Sequence, residues 1–508
     1  MEKVEEIKDE ISEAENAEEI TEDAAKKIAE DTVDYSGEEN DDKEESGIKK
    51  LLNKNKNATQ YSLSFLLVML FCSAPLFAGL VNREMIVNEN IVYNAYKYNT
   101  CFMYISNTIY TLILIFVLGR FAVLVEGRSL SGTFGRVFKR EPWLLFWVGL
   151  LVWSIIPTLN ALDIKGAFLG ATELSSGYIS YLFSLSLMVC AYWLNEYERD
   201  VLIKYFVIVS DILVAFMLGF EYDIPFLQNF TAHVTGLSVF TNQNHYGYYL
   251  TVAIMCMTGL YFSSLEAKKN GEKSSRAWRI TYLVSSMINM YALVLNDTLG
   301  AYFAILFGTF FLMIVWRIRF GKLNIWYWIP IIFLIILTIL SYFELITSKA
   351  GTTIGYSLVV FVADLLKLKH KSAGYELGGS RRIKIWKETI ARILEHPILG
   401  YGPDMMYDEN DVMLIETTPH NEFLECAFFL GIPGLVLYLG GLIKLFADRC
   451  KGLKKLTSYQ MVAAGAVFGY LVSSFFGVRK YHTSPYLYMF LGLLLLKNSQ
   501  EINKDKKS

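Results

Sequence analysis

Charge is scarce in this chain: Asp, Glu, Lys and Arg make up 19% of its 508 residues, against 53% hydrophobic and 15% aromatic. Soluble domains carry nearer a quarter, so the soluble class is excluded and a polytopic membrane protein is indicated. Cysteine is sparse as well. Cys72, Cys101, Cys190, Cys256, Cys426 and Cys450 have no paired metal-type spacing and mostly sit inside apolar runs, where they read as small core hydrophobes. No Asp-x-Asp or His-Glu-x-x-His arrangement stands on the face assigned below as external, so neither metal nor cofactor is expected. A nucleic-acid partner is not expected either. No cleavable signal peptide is expected ahead of the first apolar run, whose inner end is fixed by Lys49, Lys50, Lys54 and Lys56.

What the chain has instead is long apolar runs. A span needs about 17 to 25 such residues. Runs of that kind lie near 62–82, 101–119, 143–160, 178–194, 201–220, 246–264, 281–296, 299–316, 325–345, 423–447, 459–478 and 484–497. The expected fold is an all-α polytopic membrane protein with about twelve transmembrane helices. Asn296-Asp297-Thr298-Leu299-Gly300 supplies the turn that divides 281–316. The chain then divides into an acidic tail (1–56), spans one to nine (57–345), a long, partly helical extracytoplasmic loop (346–422), spans ten to twelve (423–497) and a short tail (498–508).

Basic residues orient this arrangement, because short cytoplasmic loops are enriched in Lys and Arg. Alternate connections hold Arg120, Arg128, Arg136, Lys139 and Arg140, then Lys268, Lys269, Lys273, Arg276 and Arg279, then Arg317, Arg319 and Lys322, then Lys444, Arg449, Lys451, Lys454 and Lys455. Connection 221–245 holds none. Both termini are therefore expected in the cytoplasm. The 346–422 loop is expected outside, since long loops cross regardless of charge. His233, His245, His370, His396, His420 and His482 all fall on the external side. The first 46 residues carry 20 Asp or Glu and 5 Lys, about −15, which leaves about +12 on the remainder. Such a tail reads as solvated and disordered or transiently helical, and its charge also suits a cytoplasmic partner.

Three external stretches carry candidate chemistry. Thr235-Gly236-Leu237-Ser238-Val239-Phe240-Thr241-Asn242-Gln243-Asn244-His245 offers amides suited to sugar hydroxyls or phosphate oxygens, or is an Asn-rich turn capping the next helix. In Gly378-Gly379-Ser380-Arg381-Arg382-Ile383-Lys384-Ile385-Trp386-Lys387, the arginines suit bidentate binding of phosphate oxygens, or they decorate a solvated basic helix. His396-Pro397-Ile398-Leu399-Gly400-Tyr401-Gly402-Pro403 closes that unit, with His396 packing near its proline. Last comes Thr418-Pro419-His420-Asn421-Glu422-Phe423-Leu424-Glu425. It places an imidazole, able to take a proton from a hydroxyl near neutral pH, one helical turn before Glu425; the alternative is a hydrogen-bonded interfacial histidine.

Taken in order, these elements resemble a known family. Asn242-Gln243-Asn244-His245 is similar to an Asn-Pro-Asn element, and Arg382 stands four residues before Trp386. His396 to Gly402, His420 to Glu425 and Gly431-Ile432-Pro433-Gly434 follow between the late spans. Together they resemble the O-antigen ligase and polymerase family of bacterial glycan-assembly membrane enzymes. The motifs cover 234–440, and the topology covers nearly the whole chain. The sequence departs from the family in three places. Gln243 replaces the proline, His233-Val234 precedes the Thr-Gly pair where relatives often carry arginine, and Asp297-Thr298-Leu299-Gly300 lacks the arginine some relatives have there.

The resemblance implies transfer of a glycan from an undecaprenyl diphosphate carrier to an acceptor hydroxyl at the outer face of the cytoplasmic membrane, in assembly of a cell-surface polysaccharide. The acceptor would be another glycan, a lipid or a wall polymer, and membrane lipids would surround the body. On this reading His420 is the base and Arg382, with Arg381, clamps the diphosphate. Asn242, Asn244 and Asn421 orient substrate or His420, and Arg479 and His482 are candidates for acceptor or phosphate contact. Direct displacement would invert the anomeric centre. A transporter or lipid-linked oligosaccharide flippase is the alternative, for which Asp211 is the clearest charge inside a span and no repeat is evident.

Overall fold

The computed structural model describes residues 61–87, 95–125, 138–139, 142–172, 175–231, 238–240, 242–269, 275–343, 345–346, 382–408, 410, 412–415 and 417–495. The acidic tail, His233, residues 347–381 of the loop with His370 and Arg381, and the last residues lie outside them. Every regular element among the described residues is helical, apart from an isolated antiparallel bridge between Tyr407 and Met413.

The helices, in chain order, are α1 (Leu63–Val87), α2 (Ala95–Val125), α3 (Leu144–Leu159), α4 (Ile164–Leu169), α5 (Tyr178–Tyr192), α6 (Glu196–Glu221), α7 (Gln243–Lys269), α8 (Arg276–Asn296), α9 (Leu299–Phe320), α10 (Ile329–Tyr342), α11 (Arg382–Glu395), α12 (Glu422–Lys451), α13 (Ser458–Ser474) and α14 (Ser484–Leu494). Each expected apolar run contains helix among the described residues. Six helices among the described residues, α1, α2, α6, α7, α9 and α12, are long and apolar enough to cross a membrane by length and composition. Shorter apolar helices accompany them at Leu144–Leu159, Tyr178–Tyr192, Ile325–Ser341 and Ser484–Leu494.

The bundle is built around α7, which packs on α8, α9 and α13, while α9 also lies along α13. Membrane helices gain little from apolar burial against one another, so close packing across small residues holds them together. Gly469 of α13 illustrates this, since a Cβ there would stand 2.8 Å from the Met255 side chain of α7. The expected intramembrane charge, Asp211, joins α6 to α8. Ser285 Oγ (2.6 Å) and Asn289 Nδ2 (2.7 Å) donate to Asp211 Oδ1, and Ser210 Oγ donates to Asn289 Oδ1 at 2.8 Å.

A second polar clasp closes one end of the bundle. Arg199, in the first turn of α6, is wholly buried. Its Nε donates to Leu194 O (2.7 Å) and its Nη2 to Tyr192 O (2.6 Å), while Nη1 donates to Gly492 O (3.3 Å) and to Leu493 O. Helices leave their last carbonyls unpaired, and one guanidinium therefore serves the C-terminal ends of both α5 and α14. Arg199→Met keeps the apolar stem and strands those carbonyls. We expect the variant to lose at least about 3 kcal/mol of stability, read as an earlier thermal transition of the purified protein in detergent; an unchanged transition would remove this role.

Candidate functional site

The site begins at the start of α12. Asn421 caps that helix, its Oδ1 accepting from the backbone N–H groups of Phe423 (3.0 Å) and Leu424 (3.1 Å), as a good N-cap residue does. His420, just before the cap, has φ +47°. A non-glycine residue in this left-handed region is strained, and such strain persists only where the surroundings enforce it. Here Trp386 of α11 donates from its indole Nε1 to Pro419 O at 3.0 Å and pins the turn. Arg382, one turn earlier on α11, lies with its guanidinium 5.6 Å from the Phe476 ring. Its charge reaches His420. The two helices thus bring the expected base and one expected clamp residue to one corner.

His420 is largely buried, and its Nδ1 is shielded from solvent without a hydrogen-bond partner. Burial, and then the Arg382 cation, push the imidazole down to about 4, so the ring is neutral at pH 7. Burial likewise lowers the Arg382 guanidinium from its ordinary value.

The relative placement of α11 and α12 comes from a broken helix. Gly431 has φ 70° and ψ 176° in the middle of α12, and Pro433 has no N–H to give to Phe429 O. Loop 396–402 takes up the freed groups. Tyr401 N donates to Phe428 O and Gly402 N to Phe429 O, both at 2.9 Å, while Ile432 N turns outward to Pro397 O at 2.8 Å. Leu430 O accepts from Trp153 Nε1 at 2.8 Å. The two sequence elements, His396 to Gly402 and Gly431 to Gly434, are therefore halves of one hydrogen-bonded joint. Next to it, buried Asp404 accepts from Thr172 N (2.9 Å), Thr172 Oγ1 (2.6 Å) and Ser176 Oγ (3.0 Å). Burial raises its carboxyl above the usual range, against the pull of those donors.

The other expected residues divide. Asn242 Oδ1 accepts from Asn244 N at 2.8 Å, with Asn242 itself exposed; this is the helix-capping turn. Gln243 O receives Asn296 Nδ2 (2.7 Å) and Thr298 Oγ1 (2.9 Å), so the turn between α8 and α9 is what seats this element. His245 packs edge-on against His482, ring centroids 5.4 Å apart, and lies within electrostatic reach of His420 and Lys480. Burial places the His482 ring well below its usual value, and Lys480 adds to this. Arg479 faces inward. It lies 3.5 Å from the Tyr181 ring centroid and donates to Tyr488 Oη (3.2 Å) and Ser184 Oγ (3.4 Å).

Two carboxylates went unread in the sequence as a polar centre behind His420. Glu422 Oε1 accepts from Tyr470 Oη at 2.7 Å, and Glu425 Oε2 accepts from Arg479 N at 2.9 Å while its Oε1 is buried without a partner. Glu425, one turn after His420, thus engages Arg479. The signal was available in the Glu-x-x-Glu spacing at a helix start, but only the packing of α12 against the 475–483 turn reveals the partner. Among the described residues no group of His, Cys, Asp and Glu is placed to hold a metal.

Fold and site together define a polytopic, all-helical membrane protein with a buried polar centre at one end of its bundle. Residues 283–439 match the protein-family model described as O-antigen ligase, and that stretch of the chain is O-antigen ligase-like. That match runs from α8 through the kink of α12 and includes Arg382, Trp386 and His420. It implies a glycosyl-transferring enzyme of glycan assembly, using a lipid-linked glycan and an acceptor in general terms. No curated protein matches the chain.

Proposed function

We propose that the chain transfers a glycan from undecaprenyl diphosphate to an acceptor hydroxyl, with inversion, on the extracytoplasmic face of the cytoplasmic membrane. The twelve runs would all be spans, with both termini inside. The observation that carries the reading is a neutral His420 held in a strained turn beside the Arg382 guanidinium.

The chemistry divides between them. A diphosphate is a weak base and leaves readily if its developing charge is stabilised, which a guanidinium does without a metal. The acceptor hydroxyl is a poor nucleophile and gains from a base. The acceptor oxygen bonds to the anomeric carbon and its proton passes to His420. The bond from that carbon to the diphosphate oxygen breaks, and the electron pair leaves on the diphosphate beside Arg382, with Arg381 as a second donor. Bound diphosphate also offsets the Arg382 charge that opposes imidazolium, so donor binding makes His420 a stronger base at the moment it is needed. Asn421 acts by holding the turn that carries His420. Asn242 and Asn244, in the turn that opens α7, would contact sugar, and Arg479 would order the wall behind the base through Glu425.

The test is reaction of the purified protein with an undecaprenyl diphosphate-linked glycan and candidate acceptors, with mass analysis of the products. Transfer with inverted linkage and free undecaprenyl diphosphate is expected. Movement of intact donor across a vesicle membrane without transfer would instead favour the flippase reading.

A further inference from the structure

The end of the bundle opposite His420 carries a cavity. Helix α7 begins beside His420 and ends at Lys269, and α8 starts back at Arg276. Around that far end Tyr261, Leu265, Arg276, Arg279, Ile280, Leu283, Asn324 and Trp326 line a cavity of about 560 Å³. Its composition is two-sided. Leu265, Ile280 and Leu283 give an aliphatic wall, while Arg276, Arg279 and Asn324 give a polar one.

The polar side has an unmet charge. Neither arginine makes an ion pair among the described residues. Both sit in the first turn of α8, which has no acidic residue, and Ser275 makes no side-chain cap there. A helix N-terminus is itself a positive pole, so two cations placed on it repel the helix as well as each other. An anion would relieve both. Trp278 and Trp326, each more than half exposed, mark this level as the membrane–water interface, where such rings concentrate.

We propose that this cavity binds one anionic glycerophospholipid from the leaflet opposite the candidate site, its phosphate between Arg276 and Arg279 and an acyl chain along Leu265, Ile280 and Leu283. Free phosphate would use only the polar half. A zwitterionic lipid would bring its own cation and leave the arginine charge uncompensated.

The full chain, purified in a neutral detergent, can be titrated with phosphatidylglycerol, phosphatidylcholine or inorganic phosphate and read by native mass spectrometry as lipid adducts per chain. One phosphatidylglycerol is expected to bind about tenfold or more tighter than phosphatidylcholine, a charge-assisted contact being worth about that factor. Inorganic phosphate should not compete. R276Q/R279Q, which breaks no ion pair among the described residues, should abolish the preference. I280W, which fills the aliphatic wall and leaves both arginines, should weaken phosphatidylglycerol binding by a similar factor. An unchanged preference in R276Q/R279Q would overturn the site. Full binding by I280W, or displacement of the lipid by inorganic phosphate, would overturn its assignment to a lipid.

Discussion

Replacing His420 by glutamine is expected to lower glycan transfer by about 10²- to 10⁴-fold, the range a positioned general base supplies, with little change in donor binding. The pH dependence separates this role from a structural one. A base must be unprotonated to act, so activity is retained above its pKa and lost as pH falls through it. With His420 at about 4, the acid limb of kcat/KM, which reports the free enzyme, should lie near that value. The limb of kcat should lie higher, because bound diphosphate screens Arg382. Arg382→Gln removes a cation that opposes imidazolium, so its kcat/KM limb should move to higher pH even as the rate falls. Full turnover in the folded His420→Gln variant, or an acid limb that stays in place in Arg382→Gln, would sink the assignment.

Gly431→Ala is expected to be the most damaging change outside the reacting corner. A Cβ at 431 would stand 1.9 Å from Ile398 O, well inside contact distance and against backbone rather than a movable side chain. The dihedrals there, φ 70° and ψ 176°, belong to a region only glycine occupies at low cost. Relief requires either straightening α12 or expelling loop 396–402, and each breaks the bonds that Tyr401, Gly402 and Ile432 make across the joint. The loss should be about 3 kcal/mol or more, seen as an earlier thermal transition together with lost transfer, because α11 and its Arg382 hang from the same loop. A variant with wild-type stability would mean that the kink is not enforced at Gly431.

The helices were legible because each apolar run is long and ends in polar or turn residues, as at Asn296-Asp297-Thr298, where Asp297 does take the left-handed conformation that stops α8. His420 and Arg382 were singled out from chemistry and order along the chain, and the structure sets their charges within reach of each other. What escaped was direction. Arg479 looks from sequence like a surface cation in a short loop, yet Tyr181, Tyr488 and Ser184 draw it into the bundle. Asn242 offers the same amide whether it meets a sugar or its own backbone, and its bond to Asn244 N satisfies it locally. The junction of Gly431 with His396-to-Gly402 could not be read from either segment alone, since the information lies in which carbonyls Pro433 releases and which N–H groups arrive to take them.

The Arg199 clasp changes what length means for the last helix. At about 1.5 Å per residue, the 11 residues of α14 reach about 16 Å, roughly half the hydrocarbon thickness. A helix that stopped there among lipid tails would leave its final carbonyls with neither water nor headgroup, at several kcal/mol for each. Arg199 takes the headgroup's place: Gly492 and Leu493 end on a protein cation. A helix shorter than the bilayer can therefore end against protein rather than against water or headgroup, because α6 brings a cation to its last carbonyls.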